Sequence, residues 1–547
     1  MLIMANNYVF NTVPTIKHSR SRFDLSHSHK TAINAGDLVP FLVQEIYPGD
    51  SFDIDSKAVV RATSAFLKPV MDDCFLDMFY FFVPNRLVDN RWQAVMGENT
   101  QSAWAPAGTT QAPVSYPSSA VPVGSIADYM GIPTNMVFTG DNSPAINIYP
   151  FRAFALIWND WFRDENVAPP MSIQKGPGSS SEIINSNAWS VINYMGMPPK
   201  VAKVHDYFTS ALPEPQKGNA QSIVGTQLYP VVPLNVATGN LVSNQTKVVV
   251  AGPSTPVSTP VALATSATTS YLAASAPAGA PTSTFLGFDN LFARNDQGIT
   301  VNDLRLSVQL QKQLERDARS GSRYIEYIRA AFGVEAGDYR LQRPEFLGGS
   351  RNPISIQQVP QTSQGTTESP LAELGAYSLS MGSARAKKGF VEHGFVIGVM
   401  CIRQYHTYQQ GVERFWRRQN RIDYYDPVFQ SIGEQPVYQN ELYALSARDS
   451  VFGYQEAWAD LRYRPNRVSG KMRSTVADSL DIWHFGDEYS SAPVLNQTFI
   501  NETPQFIDRT LAVPSTTEPQ FILDIRINEY ATRCLPTYSV PSLLDHH

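Results

Sequence analysis

Two short stretches in the last quarter of the chain carry the side chains best suited to chemistry with a charged partner. Arg414-Phe415-Trp416-Arg417-Arg418-Gln419-Asn420-Arg421 holds four arginines in eight residues, with two aromatics between them. Arg462-Tyr463-Arg464-Pro465-Asn466-Arg467, followed by Lys471 and Arg473, repeats the theme. Guanidinium groups pair with phosphates and carboxylates through planar, two-pronged hydrogen bonds, and aromatic faces stack on unpaired bases. The same residue types are enriched where proteins meet proteins. Both clusters therefore suit either single-stranded nucleic acid or a subunit contact. Nearby carboxylates such as Asp423 and Asp426 tilt the reading towards the contact.

Signals for catalysis are thin. The chain has no phosphate-cradling glycine loop with a lysine, no G-x-S-x-G elbow and no H-E-x-x-H. His27 and His29 could share one side of a strand, but zinc needs a third ligand, so they read as a solvated pair. Asp481, Asp487 and Glu488 could supply a glycosidase carboxylate pair, yet nothing in their spacing fixes the separation that such chemistry requires. Cys74, Cys401 and Cys534 are odd in number, far apart and without a C-x-x-C pair. That argues against a disulfide framework and a structural zinc site, and suits folding in a reducing cytoplasm. The expectation is a protein that is no enzyme and needs no metal or cofactor.

The elements that would hold these residues are mostly strands. A length of 547 residues exceeds what one core usually organises, so two domains or one domain with large insertions are expected. Hydrophobic residues make up 43%, and 39 prolines and 33 glycines are spread throughout, which favours a loop-rich β protein. Residues 38–47 end at the turn Pro48-Gly49-Asp50, residues 51–60 alternate polar and apolar, and Phe75–Val83 is aromatic enough for a central strand. Strand signals resume over 389–405 and 521–528. Residues 150–164 change period, with Phe154, Ile157, Trp158 and Trp161 on one helical face behind Pro150. A second helix opens near Thr300-Val-Asn-Asp303 and stacks Leu306, Leu310 and Leu314, with Tyr324, Ile325 and Ile328 continuing it beyond Gly321. Strands drawn from both ends of the chain imply non-local closure, as in a Greek-key or jelly-roll sandwich with an inserted helical middle.

One segment departs from all of this. From Gly218 to Phe288 the only charged residue is Lys247, and 29 of the 34 residues in 251–284 are Ala, Gly, Pro, Ser or Thr. It predicts a long surface excursion held at its ends by a conventional domain. The formal charge of −6 excludes the chain as a whole from electrostatic nucleic-acid binding, leaving local patches or a basic second protein. The N-terminus has no secretion signal pattern, and Phe75–Val83 is too short to cross a bilayer, so no membrane insertion is expected.

Several longer blocks carry a resemblance. Arg20-Ser-Arg-Phe-Asp-Leu-Ser-His27, Gly36-Asp-Leu-Val-Pro40 and Pro48-Gly-Asp-Ser-Phe52 open the chain. Phe79-Tyr-Phe-Phe-Val-Pro-Asn-Arg86, Ile157-Trp-Asn-Asp-Trp-Phe-Arg-Asp164 and His205-Asp-Tyr-Phe-Thr-Ser-Ala-Leu-Pro213 follow, with Arg340-Leu-Gln-Arg-Pro-Glu-Phe-Leu-Gly-Gly349 and Cys534-Leu-Pro-Thr-Tyr-Ser-Val-Pro541 later. Together they closely resemble the major capsid proteins of gokushoviruses, single-stranded-DNA bacteriophages of the microvirus family. The resemblance implies a mainly β fold, an eight-stranded antiparallel jelly roll of viral capsid type with long, partly helical inter-strand insertions. It implies self-assembly into a T=1 icosahedral shell around circular single-stranded DNA, in a virion put together in the bacterial host cytoplasm. A small basic DNA-binding protein, an internal scaffolding protein, a pilot protein and a host-cell receptor would be its partners. Residues 1–36 would then be an N-terminal arm, and 37–218 jelly-roll strands with a helical insertion. Residues 219–288 would be the protruding variable insertion, with Ala220 to Phe288 facing the host, and 289–547 the remaining helix, strands and long loops. A secreted β-sandwich adhesin or carbohydrate-binding protein is the alternative, and it predicts an export signal and paired cysteines.

Overall fold

The computed structural model describes residues 19–98, 110–134, 145–218, 301–320, 342–362 and 371–538, apart from 116, 118–119 and 180–181, together with short pieces between 228 and 294, between 326 and 333, and residue 365. Two compact units result: residues 1–215 with 316–547, and residues 216–315. In chain order the main strands of the larger unit are β1 (Ser21–Asp24), β2 (His27–Ile33), β3 (Val39–Ile46), β4 (Ser51–Ala62), β5 (Cys74–Pro84), β6 (Glu345–Ile354), β7 (Ile356–Pro360), β8 (Leu374–Gly389), β9 (Gly394–Gln404), β10 (Glu434–Tyr438), β11 (Val451–Glu456) and β12 (Phe521–Arg533).

One antiparallel sheet has six strands, with β12 between β4 and the β1 and β2 segments, and β8 and β7 beyond β4. The other has four, in the order β6-β5-β9-β3. The non-local closure expected from sequence is present: Leu523 of β12 pairs with Val60 of β4 and Thr31 of β2. The protein is mainly β, with antiparallel sheets sharing one core.

The pattern of each strand follows from what covers it. On β4, Phe52, Ile54, Ala58 and Val60 point inward, and on β12 so do Phe521, Leu523, Ile525 and Ile527, while intervening residues face outward. Both faces of β5 and β9 are covered, which is why they read as unbroken apolar runs. Leu76, Met78, Tyr80, Val396, Met400 and Ile402 meet the six-stranded sheet. Phe81, Val83, Phe395, Ile397 and Val399 meet helix α1 (Tyr149–Ile157) through Phe151, Phe154 and Ile157. Pro150 sits in its first turn, where the missing N–H costs no helical bond. The helix expected over 150–164 holds the α form only to Ile157, and Trp158–Phe162 widens into a π turn. Trp161 there donates from its indole nitrogen to the Pro344 carbonyl at 3.1 Å.

Two differences from the sequence reading stand out. The single strand expected over 389–405 is broken: β8 ends at Gly389, β9 starts at Gly394, and Phe390 turns into the core while Val391 is exposed. The break is where the chain crosses from one sheet to the other. The second difference is β8, which the sequence did not mark. Its inward positions are Ala376, Ser378, Ser380, Gly382, Ala384 and Ala386, and its outward ones include Tyr377, Leu379 and Met381. The usual large-in, small-out order is reversed. The reason is close approach of the sheets at this edge. Ser355 N–H donates to Ser380 Oγ at 2.7 Å and Ser383 N–H to Asn352 Oδ1 at 3.2 Å. A Cβ on Gly382 would lie 3.2 Å from both Asn352 and Leu76. Only small side chains fit between β8 and β6.

The smaller unit contains Leu228–Pro230 paired with Phe292–Arg294, Leu263–Thr265 paired with Leu272–Ala274, and most of helix α2 (Val301–Ser320). Leu306 and Leu310 on α2 are exposed. Thr300, Gly321, Tyr324, Ile325 and Ile328 lie outside the described residues, as does nearly all of 219–288, so the expectations placed on them are not addressed by the structure.

Candidate functional site

Both arginine clusters project from loops laid over a third core. Tyr207, Phe208, Tyr408, Val437, Leu442, Phe452, Phe499 and Ile500 build it, and the antiparallel hairpin β10–β11 forms one wall. Arg414–Arg417 is a single 3-10 turn, too short to hold itself, so its side chains are fixed by what they touch. Arg414 donates to the Pro436 carbonyl at 2.7 Å. Arg417 donates to Asn440 Oδ1 at 3.1 Å and the Arg448 carbonyl at 2.6 Å, with its guanidinium 3.9 Å from the Tyr438 ring centre. Arg418 is ion-paired with Asp460. Phe415 and Trp416, by contrast, are exposed and lie against one another with ring centres 4.8 Å apart.

The second cluster lies beside the first. Arg464 and Arg467 share Glu413, at 2.9 and 2.6 Å. Partial burial would raise the Glu413 pKa, but the hydrogen bonds from these two guanidiniums outweigh it and hold it below the ordinary value. Arg462 pairs with Glu456 at 2.7 Å, and Arg473 donates to the Gln409 carbonyl at 2.8 Å. Arg421 and Lys471 are exposed and make no ion pair with the described residues. Asp423 caps its own turn, accepting from the backbone N–H of Asn420 and Gln419, which hold its pKa low.

The structure thus gathers Arg414, Arg417, Arg418, Arg462, Arg464, Arg467 and Arg473 onto partners within the chain, and leaves Arg421, Lys471 and the two rings facing out. Between residues 413 and 473 there are ten basic and eight acidic side chains. An excess of two is weak for a polyanion track. Sequence reasoning missed Glu413, Tyr438, Arg448 and Asp460. The adjacency of Glu413 to Arg414 was the one local hint; nothing in the sequence joins Asp460 to Arg418 across 42 positions.

The catalytic candidates resolve into structural ion pairs, whereas of the two histidines read as a solvated pair His27 is exposed and His29 is half-buried. Asp487 is fully buried, 2.7 Å from His406 Nδ1, 3.0 Å from Lys203 Nζ and 2.7 Å from the Tyr489 hydroxyl. Burial would raise its pKa, but His406 and Lys203 hold it far below the carboxylate range. Asp481 and Glu488 both lie against Arg509, at 3.7 and 3.8 Å. His27 and His29 fall on β2; His27 Nδ1 is 2.9 Å from the Leu25 carbonyl. Burial, then His27, lowers the His29 pKa. Among the described residues no group of three or more His, Cys, Asp or Glu could hold a metal ion, and no helix is long and apolar enough to cross a membrane.

A double-sheet body whose polar chemistry is spent on holding loops, with aromatic rings turned outward, is a structural protein made for contacts. The chain belongs to the family described as "Capsid protein (F protein)", which matches residues 11–543. It is 36% identical to the "Capsid protein VP1" of Chlamydia phage 1, over 98% of this chain and 97% of that one. Its identity is 37% to the protein of the same name from Bdellovibrio phage phiMH2K, over 98% of each. With that of Spiroplasma virus 4 it is 36%, over 96% and 95%. The gokushovirus resemblance is borne out, and the chain is a structural capsid protein and virion component, not an enzyme. Nothing among these relatives favours the adhesin reading.

Proposed function

We propose that this chain is the major subunit of a T=1 icosahedral shell around circular single-stranded DNA, and that its sandwich is an eight-stranded jelly roll with long, partly helical insertions. The observation that carries the reading is the alternation of strands between sheets. β3 lies in the four-stranded sheet, β4 in the six-stranded one, β5 in the four-stranded one; β8 and β9 alternate likewise. A hairpin rolled over on itself distributes its strands in that way. Insertions between β5 and β6 and between β9 and β12 then supply the surfaces through which copies meet. Closed rings of heterologous contacts turn modest pairwise affinities into a stable container.

The segments take roles within that container. Residues 1–36 form an arm that adds β1 and β2 to the six-stranded sheet, 37–218 and 289–547 supply the remaining strands, helices and long loops, and 219–288 is the excursion that meets the host receptor; its near-absence of charge supports an outward, non-DNA-facing role. The two arginine clusters serve contacts between copies first, because their guanidiniums are already paired and their rings are not. Arg421 and Lys471 are the groups available to DNA, whose remaining charge falls to the small basic protein. The internal scaffolding and pilot proteins complete the partners.

The test is co-expression with the phage's scaffolding protein, followed by sedimentation and electron microscopy of the lysate. Closed particles of uniform size are expected. Recovery of nothing larger than a dimer under those conditions would overturn the reading.

A further inference from the structure

Beneath the turn Arg421–Asp423 lies a cavity of about 280 Å³ whose walls carry four guanidiniums, Arg414, Arg417, Arg418 and Arg448, against two carboxylates, Asp423 and Asp449. We propose that this cavity receives an aspartate or glutamate side chain of a second copy of the chain. The proposal rests on the shell reading above and names the partner of that contact.

Three observations lead there. The cavity is short of acceptors. Among the described residues Arg418 Nε is buried without a hydrogen-bond partner, although its Nη2 is held by Asp460. Arg448 is exposed; among the described residues its side chain hydrogen-bonds Gln419 Oε1, at 3.4 Å, and its charge acts on Asp423. Asp423 gives Oδ2 to its own turn and also feels Arg448 and Arg414, and Asp449 lies 3.6 Å from Arg417 with its side chain 85% exposed. Asp460 on Arg418 and Glu441, 4.0 Å from Arg414, already balance part of the charge, so a further carboxylate would be held by the guanidinium N–H groups left over, two of which can bond it in parallel.

The interior offers no platform for a base. The Tyr438 ring is covered by Arg417, and Trp458 stands edge-on to Tyr425 at 5.4 Å while its indole donates to the Phe429 carbonyl at 2.9 Å. Single-stranded nucleic acid is held by free aromatic faces along a basic groove. Here the free faces, Phe415 and Trp416, are not among the residues that line the cavity.

The surroundings are those of a protein contact. Ile422 lines the cavity and is exposed, and Tyr424, Tyr425 and Val428, which follow it in the chain, are exposed too, Val428 at 82%. A charged socket with exposed apolar side chains at one edge can exclude water from an ion pair once covered, which is how interface anchors work. With 49 acidic against 43 basic residues, another copy has carboxylates in excess to offer.

The test combines a reconstruction of the assembled particle with sedimentation of Arg448→Glu and Arg448→Ala chains. In the wild-type particle a carboxylate of a neighbouring copy should lie about 3 Å from the Arg448 or Arg418 guanidinium. Arg448→Glu should raise the chain concentration needed for particles at least about tenfold, through like-charge repulsion, and Arg448→Ala by a smaller factor. DNA per particle should not change in either. Because Arg448 is exposed, both variants should unfold at the wild-type temperature, separating assembly from folding. Nucleotide density in the cavity, a cavity holding only solvent, or Arg448→Glu particles forming at the wild-type concentration would each overturn the inference. Wild-type chain that forms no particle at all removes the shell reading itself, and is a different result.

Discussion

His406 shows what a buried charge does in this protein. It is fully buried, with Asp487 at 2.7 Å on one ring nitrogen and Glu502 at 3.1 Å on the other. Burial alone would lower its pKa; the two carboxylates outweigh that and raise it to about 9. The unfolded histidine titrates near 6.5, so the stabilisation is complete below about that pH and is lost as pH rises through about 9. Asp487, held low, works in the opposite sense: its contribution is present above its unfolded value and disappears as pH falls. Thermal unfolding of the wild-type chain should therefore decline between about pH 7 and 9. In His406→Gln that decline should be largely absent, and stability near pH 7 lower by roughly 3 kcal/mol, since Glu502 loses its cation and Asp487 keeps only Lys203. A wild-type slope retained in the variant would show that another group is responsible. Thiols give a second check at this scale. Cys74 and Cys401 are buried, with burial pushing both pKa values up to about 12, whereas Cys534 is exposed. A thiol reagent at neutral pH should label one cysteine per folded, unassembled chain and all three in denaturant, because only the thiolate reacts.

Among the elements, β8 is the most instructive. Its inward row of Ala, Ser and Gly is set by the approach of β6, so added bulk there has nowhere to go. Ala386→Leu should destabilise the chain by about 1–3 kcal/mol in urea unfolding. Met381→Ser, on the outward row and 83% exposed, should stay within about 0.5 kcal/mol. A larger effect at Met381 than at Ala386 would mean that β8 faces the other way. The same strand explains what was legible beforehand. β4, β5 and β12 stood out because their inward residues are large, so alternation or continuous apolarity marks them in one dimension. β8 carries the opposite size order, and its signal exists only once β6 is beside it. The helix behind Pro150 was visible, but its widening at Trp158 depends on where Trp161 must reach, the Pro344 carbonyl 183 positions away. At the candidate site the arginines themselves were plain, while Asp460, the partner of Arg418, comes from a turn 42 positions away that only folding brings near, and Glu456, the partner of Arg462, closes β11.

For the whole molecule, folding and association draw on different surfaces. The sandwich core and the α1 side of the four-stranded sheet bury their large apolar residues almost completely, Val399 and Met400 at 0% exposure. The loops over the third core do the reverse, leaving Trp416 at 71% with its ring beside Phe415. If that exposed ring belongs to a contact between copies, its removal should be silent in the isolated chain and damaging in the shell. Trp416→Ala should unfold within about 0.5 kcal/mol of wild type. Its particle yield, measured by sedimentation after co-expression with scaffold, should fall severalfold, with unassembled chain accumulating in the lysate. Val399→Ala should behave in the opposite order, losing about 1–3 kcal/mol of stability from the cavity it leaves. Its soluble chain should still form particles in proportion to the amount that folds. Particles of normal yield but reduced DNA content from Trp416→Ala would reassign the ring from the neighbouring copy to a base of the packaged strand, because stacking and interface burial make opposite demands on what the shell contains.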